Sequence, residues 1–197
     1  MLRTDGGPVL SPQLLLAAYR QGFFPMAADD GAIEWHNPDP RAVFPLAGIQ
    51  PNARFRRFLR NAGFRLSMNE AFAQVIRHCA TVHGDSWISP AMQEAYVALH
   101  GMGHAISTET WIEDQLVGGI YGVSIGNAFF GESMFSLATN AGKAAFHRLA
   151  EHLRQQGYTL FDTQYINEHT ASLGAMEIPR ARFFQELERA VATPFRI

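Results

Sequence analysis

The sequence predicts a mixed α/β (α+β) chain, with a small N-terminal domain ahead of a larger domain built on a mixed, mainly antiparallel sheet. Three observations predict it. Ser11-Pro12 and Ser89-Pro90 each place a capping hydroxyl and a first-turn proline before an apolar-periodic stretch, the mark of a helix start. Three strand-like segments, about 104–112, 115–124 and 127–135, are separated only by Glu113-Asp114 and Gly126-Asn127, connections short enough for an antiparallel meander. An amphipathic stretch over 140–156 then leads through Gly157 to a further strand, Thr159–Gln164, expected to lie parallel to the last strand of the meander.

In chain order, Leu14, Leu15, Leu16 and Tyr19 form the apolar face of the first helix, which Gly22 ends. From Phe23 to Pro45 the prolines at 25, 38, 40 and 45, with Asp29-Asp30-Gly31, allow only short strands and turns. This stretch reads as a compact domain over 1–50, with the boundary near 46–53 and the larger domain over 51–197. Phe64–Met68 alternates like a strand, and Asn69 is placed to cap a helix over 70–81. The second Ser-Pro helix stops near Gly101. A short helix (168–173) and a final helix (181–192) close the chain. Two helices, a meander, a crossover helix and a parallel strand follow one another as in the GNAT type of acyltransferase fold. In that fold the parallel strands part at their ends, leaving a groove where an acyl donor lies.

Composition narrows the function classes. The chain has 197 residues, 47% hydrophobic and 17% charged, enough apolar material for a core, and no apolar run long enough to span a bilayer. Met1–Gly6 lacks the basic-then-apolar layout of a signal peptide, so a cytoplasmic location is expected. The single Cys79 leaves no internal disulfide and no multi-cysteine zinc site, and reads as buried. His100 and His104 have helical ligand spacing, but Gly101 and Gly103 break the helix between them, so no metal is expected. A net charge of −2 argues against a surface basic all over. A local patch remains at Arg54, Arg56, Arg57 and Arg60, either a solvated helix face or a phosphate-binding surface.

The most informative segments are Gly131-Glu132-Ser133-Met134-Phe135-Ser136 and Phe161-Asp162-Thr163-Gln164. Each falls at a strand end and carries a carboxylate among apolar residues. The helix between them returns the chain to the same sheet edge, so two acids, an amide and a Phe/Met lining face one pocket. Asp162 and Gln164 alternate along a strand and so share a face.

Read with Gly22-Phe23-Phe24-Pro25, Trp35-His36-Asn37-Pro38-Asp39-Pro40-Arg41, Trp87-Ile88, Leu116–Gly122 and Asn167–Ala175, these segments closely resemble the leucyl/phenylalanyl-tRNA–protein transferase family, from about Leu10 to Phe184. The resemblance implies transfer of Leu or Phe, and Met less readily, from aminoacyl-tRNA to the α-amino group of a protein beginning with Arg or Lys. The product carries an N-degron for protein degradation. It implies no cofactor, neither metal nor coenzyme A, and a monomer is expected.

By the same resemblance Asp162 and Gln164 are the catalytic pair, Asp162 holding the amine and drawing off its proton, or polarising Gln164 so that the amide accepts it. Glu132, with Asp162, would bind the acceptor through its positive side chain or its amine. Ile120, Phe129, Met134, Phe146, Leu149, Leu153 and Phe161 would wall the donor side-chain pocket. Such a wall separates one methylene by only ~1–3 kcal/mol, so some breadth of donor is expected. Trp35 and Trp87 would stack the terminal adenine, and Arg54, Arg56, Arg57 and Arg60 would meet tRNA phosphates. Met26-Ala27-Ala28-Asp29 and His36 depart from the family's more aromatic pattern on the adenosine side.

Two other readings compete. An acetyltransferase of this fold needs a glycine-rich pyrophosphate loop at the start of the crossover helix, which Asn140-Ala141-Gly142-Lys143-Ala144 lacks. A non-catalytic RNA-binding module would have no use for Asp162 with Gln164.

Overall fold

A computed structural model describes residues 10–28, 30–82 and 87–193. Met1–Gly6 and Asp29, both read above, lie outside the described residues. Ser11 caps α1 (Pro12–Arg20) by accepting from the Leu14 amide, and Gly22 follows with φ +80°. A two-stranded antiparallel ribbon comes next, β1 (Phe24–Ala27) and β2 (Ile33–His36). β3 (Arg41–Val43), a 3-10 turn (Leu46–Gly48), α2 (Ala53–Asn61), β4 (Arg65–Met68), α3 (Phe72–Val82) and α4 (Pro90–Gly101) lead into the meander. The meander is β5 (Ala105–Ile112), β6 (Gln115–Ile125) and β7 (Ala128–Ser136). α5 (Ala141–Gln155), β8 (Leu160–Gln164), α6 (Glu168–Ser172), β9 (Met176–Ile178) and α7 (Arg180–Val191) complete the chain.

The main sheet has seven strands in the order β4-β5-β6-β7-β8-β3-β9. Every neighbouring pair is antiparallel except β7 and β8, joined in parallel through the crossover α5. This is the GNAT-type arrangement the sequence predicts. β3 lies N-terminal to the expected boundary, yet its backbone is paired between β8 and β9 within the larger sheet.

Two apolar clusters sandwich the sheet. α5 contributes Phe146, Leu149 and Leu153 to one, with Phe129, Phe161 and Ile120. α1, α3, α4 and α7 build the other, with Leu15, Val75, Met92, Leu99 and Phe183. Thr108 and Thr110 donate to the Ala145 and Ala141 carbonyls and so tie β5 to α5.

Asn69 does not cap α3. Its φ of 59° turns the chain, and its amide oxygen accepts from the Ser107 backbone N–H, so it pins β4 to β5 while the helix begins at Phe72. Among the described residues no helix is long and apolar enough to cross a membrane.

Candidate functional site

Parallel pairing of β7 and β8 ends at Phe130 and Asp162. Beyond that point β7 stays with β6 as far as Ser136, while β8 turns to β3 through Ala42 opposite Gln164. The two strands part, and a cleft of about 740 Å³ opens between them.

Glu132 enters this cleft because the strand bulges. Tyr121 pairs with Ser133 and the next residue, Gly122, pairs with Gly131, so Glu132 is an extra residue without a partner on β6. Gly122 makes room for the bulge. A Cβ there would lie 2.1 Å from the Phe130 carbonyl oxygen and 2.5 Å from the Phe129 ring, against backbone that cannot withdraw.

The bulge carries the carboxyl to two tyrosines from distant helices. Tyr19 of α1 donates to Oε1 at 2.7 Å, Tyr96 of α4 donates to Oε2 at 3.1 Å, and the Gln164 amide donates to Oε1 at 3.2 Å. Burial pushes the Glu132 carboxyl up to about 8, outweighing the two phenol donors that favour its charged form; nearby Asp162 pushes it up and Arg41 down. Burial also holds both phenols well above the ordinary tyrosine range. On the same side the Cys79 thiol, near Ser133, is buried and pushed up to about 12, which leaves it unreactive.

Asp162 is fully buried and meets Arg41 of β3, equally buried, in a two-pronged ion pair. Nε donates to Oδ1 at 2.8 Å and a terminal nitrogen to Oδ2 at 2.7 Å. The remaining guanidinium nitrogen donates to the Gly22 carbonyl at 2.9 Å, and the guanidinium lies 4.8 Å from the Phe24 ring centre and 4.4 Å from that of Phe183. Oδ1 also accepts from the Gln164 backbone N–H at 3.1 Å. Gln164 stands in the left-handed region with φ 61°, a conformation costing roughly 1–2 kcal/mol for a non-glycine residue. The Asp162 contact offsets that cost and turns the Gln164 amide toward Glu132.

Sequence reasoning quoted Arg41 within a motif but gave it no part in the site. Its signal was a lone arginine entering an apolar segment, Arg41-Ala42-Val43-Phe44, where an unpaired charge has no place.

The apolar part of the cleft is lined by Ile120, Met134 and Phe146. Phe129, Leu149, Leu153 and Phe161 belong to the same cluster but sit behind that lining. Phe44, missed in the sequence, also lines it, with ring centres 4.8 Å from both Phe146 and Phe161. The far wall comes from Asn167, His169, Thr170, Ser172 and Leu173, held by a reciprocal cap between Asn167 and Thr170. Trp87 and Val82 line the mouth, and Lys143 lies along it. Trp35 is partly buried against the other core cluster and is not among the lining residues.

The four arginines Arg54, Arg56, Arg57 and Arg60 are exposed on α2, and Arg54 and Arg57 border a depression of about 290 Å³ with Phe58 and Asn61. Phe55 anchors this helix beneath Lys143 and beside His147 of α5. His100 stacks on Phe72 and contacts the Ala105 carbonyl, and His104 contacts that of Ser124.

The family models and the sequence relatives carry one description. The family model described as leucyl/phenylalanyl-tRNA protein transferase matches residues 43–188, and the model of that family's N-terminal domain matches residues 9–39. A leucyl/phenylalanyl-tRNA–protein transferase of Yersinia enterocolitica is 48% identical over 189 residues, 95% of this chain and 80% of the relative. One of Cereibacter sphaeroides is 49% identical over 187 residues, 94% of this chain and 87% of the relative. Among solved structures, an aminoglycoside acetyltransferase from a soil metagenomic sample aligns at 12% identity with a TM-score of 0.43, over 70% of this chain and 94% of that one.

Proposed function

This chain belongs to the leucyl/phenylalanyl-tRNA–protein transferase family, and from that premise we propose how its cleft carries out aminoacyl transfer. The enzyme moves Leu or Phe, and Met less readily, from aminoacyl-tRNA to the α-amino group of a protein that begins with Arg or Lys, giving an N-degron. It acts as a monomer in the cytoplasm. One observation carries the reading: an apolar lobe lined by Phe44, Ile120, Met134 and Phe146 and, alone among the carboxyl side chains of the described residues, Glu132 line the same cleft.

The donor side chain fills the apolar lobe, backed by Phe129, Leu149, Leu153 and Phe161. Glu132 faces the acceptor's positive charge. The deprotonated amine attacks the ester carbonyl, a C–N bond forms, and the ester C–O bond breaks. The nitrogen gives up a proton as the amide forms, and the ribose oxygen leaves with it as a hydroxyl. Because the ester is already activated, positioning supplies much of the acceleration.

We give the two predicted catalytic residues different duties. Both Asp162 oxygens are engaged, so Asp162 acts by fixing Gln164, and Gln164 presents its amide beside Glu132 to orient the amine. Trp87 at the mouth, with Trp35 further out, receives the terminal adenosine by stacking. Arg54, Arg56, Arg57 and Arg60 take tRNA phosphates. Within the proposed N-terminal domain, α1 and the β1–β2 ribbon flank the site, while Arg41–Val43 belong to the main sheet.

The test is transfer of labelled Leu from Leu-tRNA to a peptide beginning with Arg, compared with the same peptide beginning with Ala. Transfer to the Arg peptide alone is expected. Equal transfer to both, or to neither, would sink the reading.

A further inference from the structure

Three oxygen–oxygen contacts surround Glu132, and they require three protons. Tyr19 Oη lies 2.7 Å from Oε1, Tyr96 Oη lies 3.1 Å from Oε2, and the two phenol oxygens lie 2.5 Å apart. A hydrogen bond needs a proton between its oxygens; a phenol has one to give and a carboxylate has none. Two phenols supply two protons, so the third sits on Glu132, which in the neutral state donates to one phenol; the arrangement in which both phenols donate to it is that of the ionised carboxylate. We propose that Glu132 is a neutral carboxylic acid in the empty site and that the acceptor's cation binds by displacing this proton, with Tyr19 and Tyr96 as the positioning residues that hold it until then. This rests on the acceptor class proposed above.

The surroundings favour the neutral acid. Around Glu132 are Tyr19 from α1, Tyr96 from α4, Tyr121 from β6, Gln164 and Asp162 from β8, and Arg41 from β3, while Lys143 of α5 and His169 of α6 line the same cleft without a hydrogen bond to it. Arg41 is the one cation of the group around Glu132, and Asp162 already matches it. Tyr121 is wholly buried, its ring edge-on to Tyr96 at 5.6 Å, and its hydroxyl has no hydrogen-bond partner among the described residues. Burial pushes the carboxyl up to about 8, in the same direction as the proton count.

An arriving guanidinium or ammonium supplies the missing positive charge. Glu132 loses its proton to the buffer, the carboxylate pairs with the cation, and net charge in the recess is unchanged. Both phenol protons then turn to the carboxylate, and the Tyr19–Tyr96 contact lengthens. Acceptor affinity accordingly rises with pH, up to about tenfold per unit, until the free acid has ionised.

Calorimetric titration of the full chain with an Arg-initiated peptide, without tRNA and in two buffers of different ionisation enthalpy, counts the proton. Near neutral pH the release expected is close to one proton per peptide, roughly the fraction of Glu132 still protonated. Infrared difference spectra should show a carboxylic-acid carbonyl band that disappears in Glu132→Gln and also on adding peptide to the unaltered protein. Tyr96→Phe removes a donor to the carboxylate and should move the pH midpoint of peptide binding upward; loss of packing alone would leave the midpoint in place. Selective binding of the Arg peptide without proton release, or the absence of a Glu132 acid band, overturns this inference alone. Equal binding of Arg- and Ala-initiated peptides overturns the acceptor reading and this inference with it.

Discussion

Replacing Arg41 by Gln tests whether one buried ion pair organises the reacting end of β8. In the folded chain Arg41 and Asp162 are both fully buried, and two of the three hydrogen bonds to the Asp162 carboxylate come from the guanidinium. Removing the guanidinium leaves a buried carboxylate with one backbone donor, a loss of about 3–5 kcal/mol. The Phe24 and Phe183 rings also lose the cation between them, so the upper part of that range is expected. For a chain of this length each kcal/mol lowers Tm by about 2–4 °C, which predicts a fall of roughly 6–20 °C. Asp162→Asn alone should cost a comparable amount, because it strands the arginine. The double variant removes both charges and should be more stable than the sum of the two losses implies by at least about 2 kcal/mol. Urea unfolding of the four proteins measures this directly. Single losses under about 1 kcal/mol, or strict additivity, would refute the idea that the pair holds Asp162 and, through it, Gln164.

Three further predictions concern other parts of the site. Glu132 has a folded-state value near 8, raised by burial above 4.5, so its contribution to stability is full below about 4.5 and is lost as pH rises through about 8. The slope in that window is at most about 1.4 kcal/mol per pH unit, and it should vanish in Glu132→Gln when unfolding is followed across pH. Phe44→Leu, which thins the donor wall, should raise KM for Leu-tRNA more than it lowers kcat, and should alter the preference between Leu and Phe; unchanged preference would remove Phe44 from the pocket. Replacing Arg54 and Arg57 by Ala should weaken tRNA binding and reduce the slope of log affinity against log salt by ~0.7–0.9 for each phosphate no longer neutralised; an unchanged slope would return α2 to the role of a solvated helix.

Much of the frame was legible in the sequence because it is written in local chemistry. Ser11-Pro12 and Ser89-Pro90 start helices where expected, and the two-residue turns at Glu113-Asp114 and Gly126-Asn127 fold β5, β6 and β7 into one meander. Alternation pointed to Asp162 and Gln164 as neighbours, but the left-handed turn at Gln164 that sends its side chain to Glu132 was not visible in it. What was not legible depends on contacts across the chain. β3 and β9 are three residues each, too short for alternation to be seen, and only their pairing with β8 and with one another makes them strands. Arg41 could be assigned a role only once its partner, 121 residues away, was known. The tyrosines on Glu132 lie 113 and 36 residues from it in sequence. The bulge that Gly122 permits involves the opposite strand, so Gly122 alone could not announce it. Phe44 joins the donor wall for the same reason, through β3 lying beside β8 and through its amide donating to the Phe161 carbonyl at 2.8 Å.

The central claim is that one cleft reads a positive charge on the acceptor while it holds an apolar aminoacyl group. The most direct measurement compares kcat/KM for Leu transfer to two peptides identical except at the first residue, one beginning with Arg and one with citrulline, its neutral counterpart of the same shape. The Arg peptide should be favoured by roughly five- to tenfold, the ratio given by the ~1–1.5 kcal/mol by which a charge-assisted contact exceeds a neutral one, and Glu132→Gln should erase the difference. Equal values for the two peptides in the unaltered enzyme would contradict the account.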